Sequence, residues 1–383
     1  MILFQSQELC KHNLHYEKKQ FYFRILEEYY MITIDSEEQN PVDTEERVEL
    51  PNDSNLSIKD IKKLVEQNTK SKLYLGNDPS LKINKILTNI ASFDRITEGG
   101  IPRRRFTMFY GNDSSGKSTL SALCAKAVQL QEGTVAYIDV ESSYDPEWWQ
   151  KLGVNLSELI YIKTDLAENL FDILRELCLQ QVDLIILDSI ASLIPGEEHE
   201  KKGDEQSVAV LARLVNRSLK KIIQDNQNSA IILINQLRSG IGGYAHEQVL
   251  PGGRGQRFDT SLRCEISKGD PIILDTSLKI KGKRFSESDG YYLKIYIDKS
   301  KVSTPFKSCE IPVYFDGHVD LSYVLFEEAL NQNLIEVNKR TYIIENEKMV
   351  GRENAVEYLR THPEIETVLK KKLGGKLYGS VSI

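Results

Sequence analysis

The residues whose spacing most clearly could do chemistry are Gly111-Asn112-Asp113-Ser114-Ser115-Gly116-Lys117-Ser118. They follow the pattern G-x-x-x-x-G-K-S/T, and an apolar, β-prone run (106–110) feeds them while a helix-compatible run (119–123) leaves them. Glycines let such a loop curl until successive N–H groups face a phosphate, and the following helix N-terminus adds partial positive charge. Lys117 would reach the β/γ-phosphates of a nucleotide and Ser118 would offer its hydroxyl to Mg²⁺. A glycine turn with an incidental lysine is the plain alternative, and the strand–loop–helix setting weighs against it.

Three more polar residues stand where apolar runs stop. Val135 to Val140 ends at Glu141, Val182 to Leu187 ends at Asp188, and Ala230 to Ile234 ends at Asn235-Gln236. Ligands in open α/β sheets sit at the carboxyl ends of strands. Asp188 fits a carboxylate that helps hold Mg²⁺ beside Ser118, with helix capping as its alternative. Glu141 could deprotonate or orient an attacking water, or be a solvated strand-end acid. Gln236 could contact a γ-phosphate and report nucleotide state to the loop after it.

Those residues need a scaffold, and from about 83 to 315 the pattern alternates strands and helices, as a largely parallel sheet with crossover helices does. The loop from Arg238 to Gly255 is rich in glycine (Gly252 and Gly253 among them) and carries Arg238, Tyr244 and Arg254, which suits a segment tracking a nucleic-acid backbone as well as a plain surface loop. The stretch 195–206 carries both charge signs, and the helix after it shows Arg213, Arg217, Lys220 and Lys221 on a polar face. Lys279, Lys281, Lys283 and Arg284 look like a basic hairpin tip around Gly282. Residues 321–373 read as helix-rich with a β-like interlude at 341–344, closing on Lys370, Lys371, Lys372 and Lys376.

Upstream, 57–68 reads as a helix capped by Ser57 or Asp60 with Ile58, Ile61, Leu64 and Val65 on one stripe. Residues 27–53 hold ten acids against the single base Arg47, the composition of a solvated linker or of an acidic arm competing with DNA for basic surface. A net charge of -7 thus hides basic loops and a basic end. No apolar run approaches the roughly 20 residues of a membrane span, and the start lacks a secretory pattern. Five scattered cysteines without a C-x-x-C predict free thiols, no zinc and a cytoplasmic setting.

The chain resembles the bacterial and phage RecA recombinases from about 58 to 373. The resemblance is carried by the phosphate loop, Tyr137-Ile138-Asp139-Val140-Glu141, Asp145-Pro146 and Lys151-Leu152-Gly153-Val154. Further carriers are Leu187-Asp188-Ser189, Ile234-Asn235-Gln236-Leu237-Arg238, Gly252-Gly253, and Lys299-Ser300-Lys301 ahead of Pro305-Phe306-Lys307. It implies a RecA-type ATPase core at 89–317, a polymerisation helix and strand at 56–88, and a small α+β C-terminal domain at 318–383. An N-terminal extension at 1–55 has no counterpart in typical members. It implies a DNA-dependent ATPase using ATP and Mg²⁺ that forms a helical filament of its own copies on single-stranded DNA, then pairs that strand with homologous duplex.

By position the resemblance makes Glu141 the catalytic glutamate and Gln236 the γ-phosphate sensor. Thr119, Asp145 and Trp148 fall at the nucleotide, Trp148 against adenine unless it simply packs in the core. Lys299 and Lys301 match lysines that reach a neighbour's ATP. DNA-binding loops fall at 195–207 and 238–252, with Arg213, Arg238, Gly252 and Gly253 near DNA. The first loop departs from the family's pattern, and a lysine-rich end stands where the family commonly carries acid; the acidic stretch at 27–53 is expected to take over that damping role. A ring-forming, helicase-like ATPase and a weakly hydrolysing recombination mediator are the rival readings.

Overall fold

The computed structural model describes residues 57–69, 71–164, 167–190, 215, 217–239, 248–249, 259–273 and 288–378. It divides into two compact units, 1–78 and 79–383. The extension at 1–55, the first expected DNA loop, most of the second, and the basic tip at 279–284 lie outside the described residues. Arg213, Gly252 and Gly253 lie outside with them, and of Arg238 only the backbone is described.

In the first unit, helix α1 (Ile58–Thr69) starts where the sequence puts it. The Asp60 N–H donates to the Ser57 hydroxyl at 3.3 Å and the Asp60 carboxylate accepts from the Ser57 N–H at 3.1 Å, a reciprocal cap. No residue of α1 is buried. Ile58 is 70% exposed and Ile61 47%, while Leu64 and Val65 of the same stripe are half-buried.

The second unit opens with β1 (Lys85–Ile86) and β2 (Ile101–Pro102), paired antiparallel around α2 (Ala91–Thr97). There follow β3 (Phe106–Gly111), α3 (Lys117–Gln129), β4 (Val135–Asp139), α4 (Pro146–Lys151), β5 (Leu159–Lys163), α5 (Ala167–Leu179), β6 (Leu184–Asp188) and β7 (Ala230–Gln236). Arg238–Ser239 (β8) and Gln248–Val249 (β9) pair as a short antiparallel ribbon at the root of the second expected DNA loop. β10 (Thr260–Ile272), β11 (Gly290–Ser300) and β12 (Ser308–Tyr314) complete an eight-stranded sheet in the order β12-β11-β10-β3-β7-β6-β4-β5.

From β10 to β5 every neighbouring pair is parallel, as the alternation predicts. β11 instead runs antiparallel to both of its neighbours, β10 and β12. Continuous apolar runs such as Leu184-Ile185-Ile186-Leu187 form strands buried on both faces. Alternate residues then serve two cores. Tyr137, Ile186 and Ile232 join Leu120, Cys124 and Val128 of α3 on one face. Ile138, Ile185 and Ile231 join Leu170, Phe171 and Leu174 of α5 on the other. β5 is the sheet edge, with Ile160 and Tyr161 each 43% exposed.

The chain ends in α6 (Leu321–Asn331), an antiparallel sheet of β13 (Glu336–Asn338), β14 (Thr341–Ile344) and β15 (Glu347–Val350), then α7 (Arg352–Thr361) and α8 (Pro363–Tyr378). Leu325, Phe326, Ile344, Leu359 and Leu369 give this part its own apolar cluster. The Arg95 guanidinium of α2 pairs with buried Glu328 of α6 at 2.6 Å. The sequence points only to the middle strand. The two flanking turns use Lys339 (φ 58°), Glu345 (φ 46°) and Asn346 (φ 73°) rather than glycine, so the usual hairpin signal is missing. No described helix is long and apolar enough to cross a membrane.

Candidate nucleotide-binding site

Strand register gathers the polar strand ends. Gly111 pairs with Gln236, and Asp139 pairs with Asp188, so β3, β7, β6 and β4 deliver the phosphate loop, Gln236, Asp188 and the Glu141 turn to one edge of the sheet. They open on a cleft of about 550 Å³ whose lining includes Ser114 to Thr119, Glu141, Trp148, Asp188 and Gln236. Two glycines are obligatory here. Gly116, at φ +97°, caps α3, and a Cβ there would meet Leu293 Cδ1 at 2.5 Å; at Gly111 a Cβ would meet the Ile266 carbonyl oxygen at 2.1 Å.

Lys117 is buried, and its ammonium donates to the loop's own carbonyls, Asn112 O at 2.7 Å and Gly111 O at 3.3 Å. Burial lowers its pKa, against the opposing pull of Asp188, Asp113 and Glu141. The Ser118 hydroxyl donates to Asp188 Oδ2 at 2.9 Å. Burial pushes the Asp188 carboxyl up to about 6, assisted by the like charges of Glu141 and Asp139 and resisted by hydrogen bonds from Ser118 and Tyr137. A hydroxyl and one carboxylate are hard oxygen donors, and next to phosphate oxygens they suit Mg²⁺, which keeps waters and takes few protein ligands. Among the described residues no group of three or more His, Cys, Asp or Glu gathers as a metal cage.

Glu141 is held from two sides. The Gln236 side-chain amide donates to both its carboxylate oxygens, at 3.1 and 3.0 Å, and the Ser189 hydroxyl donates to Oε1. Asp145 accepts from the Trp148 N–H at 3.0 Å and caps α4; it is exposed and does not line the cleft. The adjacent tryptophans part company, since Trp149 is buried in the core while half-buried Trp148 lines the cleft and donates its Nε1–H to Thr119 Oγ1 at 3.2 Å.

Lys299 and Lys301 sit elsewhere. Lys299 pairs with Arg263, which pairs with Met108, and the Lys301 N–H donates to the Ser261 carbonyl at 2.7 Å. Both therefore lie toward the start of β3, away from the end that carries the phosphate loop. From Lys299 to Gly111 is three residue rises along the strands and two strand spacings across, roughly 14 Å between backbones. Neither lysine lines the cleft.

Besides Ser143 in the turn after Glu141, three side chains absent from the sequence reading complete the cleft: Lys268, Tyr291 and Phe315. The Lys268 ammonium lies 4.8 Å from the Tyr291 ring centre, and Tyr291 packs at 5.9 Å from Phe315. They arrive from β10, β11 and the turn after β12, far along the chain, with no local pattern to mark them. Ser189 was legible as the residue after Asp188, although nothing in the sequence ties it to Glu141.

The RecA N-terminal domain model matches residues 54–320. Curated relatives include the RecA proteins of Thermus aquaticus, 33% identical over 306 residues (78% of this chain, 87% of that protein), and of Acholeplasma laidlawii, 32% identical over 326 residues (83% and 94%). The RecA of a Limosilactobacillus reuteri strain is 31% identical over 305 residues (78% and 82%). The chain belongs to the RecA family. Membership makes the eight-stranded unit a RecA-type core, in a nucleotide-binding protein of the recombinase class. The matched segment includes every strand of the large sheet and ends at Asp320, before α6.

Proposed function

We propose that this chain is an ATP-dependent DNA recombinase, which binds single-stranded DNA as a helical filament of its own copies and pairs that strand with homologous duplex. The single observation that carries the reading is the separation of Lys299 and Lys301 from the phosphate loop across the sheet. A cleft holding a base, a sensor and a phosphate loop at one end, with matching cations at the other, is completed by head-to-tail assembly. Exposed Ile58 and Ile61 of α1 support the same reading, since a neighbouring copy would bury them.

In that assembly Lys117 and the loop N–H groups hold the β/γ-phosphates, and Ser118 with Asp188 would hold Mg²⁺. Bound Mg²⁺ supplies positive charge to the phosphate oxygens during transfer. Glu141 accepts the proton of the attacking water, its carboxylate aimed by Ser189 and Gln236. Gln236 cannot donate to Glu141 through the same N–H groups that would meet a γ-phosphate. Nucleotide arrival would therefore draw the amide off the base and move β8, which begins two residues on. Lys299 and Lys301 of one copy enter the cleft of the next and stabilise charge there only once subunits are assembled. Trp148 stacks on the base, and the loops at 195–207 and 238–252 meet DNA.

Electron-microscope imaging with single-stranded DNA and a slowly hydrolysed ATP analogue tests this. Extended right-handed filaments are expected. Closed rings would favour the helicase-like reading, and bare DNA with scattered particles the mediator.

A further inference from the structure

Two tyrosines on neighbouring strands repeat one geometry. Tyr137 of β4 and Tyr161 of β5 are register partners, and their rings stack with centroids 6.3 Å apart at 23°. Two residues on, Asp139 of β4 and Asp188 of β6 are register partners as well. The Tyr161 hydroxyl donates to Asp139 Oδ2 at 3.1 Å, and the Tyr137 hydroxyl donates to Asp188 Oδ2 at 3.0 Å. Each bond runs along the same diagonal, one strand across and two residues up. Together they step from the sheet edge to the middle of the cleft.

Both carboxylates already hold parts of the site. Asp188 receives the Ser118 hydroxyl on the same Oδ2 that Tyr137 reaches. Asp139, buried, accepts the N–H groups of Ser143 and Tyr144 at 3.2 Å each, which fixes the turn that begins with Glu141. Tyr144 and Trp149 pack round the pair at 4.9 Å from Tyr161 and 4.7 Å from Tyr137. Phenylalanine would fill that space equally well. The two hydroxyls tie these rings to the carboxylates, and half-exposed Tyr161 could have been satisfied by water instead.

We propose that Tyr137 and Tyr161 are positioning residues whose hydroxyls form a two-step ladder, the inner rung aiming Asp188 at the metal–nucleotide complex and the outer rung holding, through Asp139, the turn that carries Glu141. This rests on the hydrolytic reading of the cleft given above. The inner rung should govern metal affinity, because partners that orient a metal-binding group tune its strength. The outer rung should govern turnover instead.

The test compares the full-length protein with Tyr137→Phe and Tyr161→Phe. Mg²⁺ is titrated in the presence of a slowly hydrolysed ATP analogue and followed by tryptophan fluorescence, with melting temperature measured alongside. Tyr137→Phe should raise the half-saturating Mg²⁺ concentration about tenfold. Tyr161→Phe should leave that midpoint within about twofold and lower kcat about tenfold at constant KM, as removal of an interaction made in the transition state does. Tyr161 is partly exposed, so its variant should fold even if Tyr137→Phe does not. A Tyr137→Phe titration superimposable on the unsubstituted protein overturns the inner rung. An unchanged kcat in Tyr161→Phe overturns the outer one. If the unsubstituted protein gives no Mg²⁺-dependent nucleotide signal, the reading of the cleft itself fails, which is a different result.

Discussion

A mixture of two individually inactive variants, Glu141→Gln and Lys299→Ala/Lys301→Ala, should regain ATP turnover on single-stranded DNA. Glu141→Gln removes the base from its own cleft and should slow hydrolysis about 10²–10⁴-fold. It still accepts from Ser189 through its amide oxygen, and it still presents both lysines. The lysine variant keeps an intact cleft and presents nothing to its neighbour. Lys299 stands roughly 14 Å from Gly111 between backbones, and the phosphates lie beyond that. A lysine stem of four carbons spans only about 6 Å, so neither lysine serves its own cleft. In a randomly mixed equimolar filament, an interface works when the lysine variant gives the cleft and the glutamine variant gives the lysines, which is about one interface in four for a heterologous contact. Steady-state phosphate release should therefore reach about 25% of the unsubstituted rate at 1:1 and follow the product of the two fractions at other ratios. A flat line at the level of the separate variants, with mixed filaments verified by imaging, would refute the assignment in trans.

Trp148→Ala should weaken nucleotide binding by about 1–3 kcal/mol, the worth of one stacked base; a fall in melting temperature with unchanged affinity would make Trp148 a packing residue only. Gly116→Ala should destabilise the protein by about 2–4 kcal/mol in urea unfolding, from left-handed strain plus the contact with Leu293, and abolish nucleotide binding; a loss under about 0.5 kcal/mol would contradict that strain and contact. Asp94 is buried, and burial pushes its carboxyl up to about 7 against hydrogen bonds from Thr88. A folded pKa above the unfolded value of 3.8 means the native state holds the extra proton, so this group's contribution is full below about 4 and is lost as pH rises towards 7. Denaturation of Asp94→Asn, which keeps an acceptor for Thr88, should show a shallower loss of stability between about pH 4 and 7 than the unsubstituted protein; parallel curves would rule the assignment out.

Most of the phosphate side of the cleft was legible because it is local. Gly111 to Ser118 is contiguous, and Glu141, Asp188 and Gln236 each end an apolar run that can only be a buried strand. Lys268 and Tyr291 were illegible for the opposite reason. They meet the phosphate loop only because β10 pairs with β3 and β11 with β10, pairings between segments more than 150 residues from Gly111 that no periodicity records. Tyr137 hid inside a strand whose pattern required merely a large apolar group at that position. The two outer C-terminal strands escaped, while the middle one was read at 341–344, because their turns place lysine, glutamate and asparagine in the left-handed region, where local preference gives no hairpin signal.

In the head-to-tail assembly proposed above, the placement of the lysines at one end of the sheet and the phosphate loop at the other would also decide what happens at the tips. A row of n copies closes n − 1 clefts. One terminal copy keeps a cleft that no lysines enter, while the other offers lysines to nothing. The first tip would hold its nucleotide unhydrolysed, however fast the interior turns over, and the second would be bounded by a copy whose own cleft is complete. Shedding of spent subunits would then start from a single end, so the polymer would age directionally, a property written into which edge of one β-sheet each charge occupies.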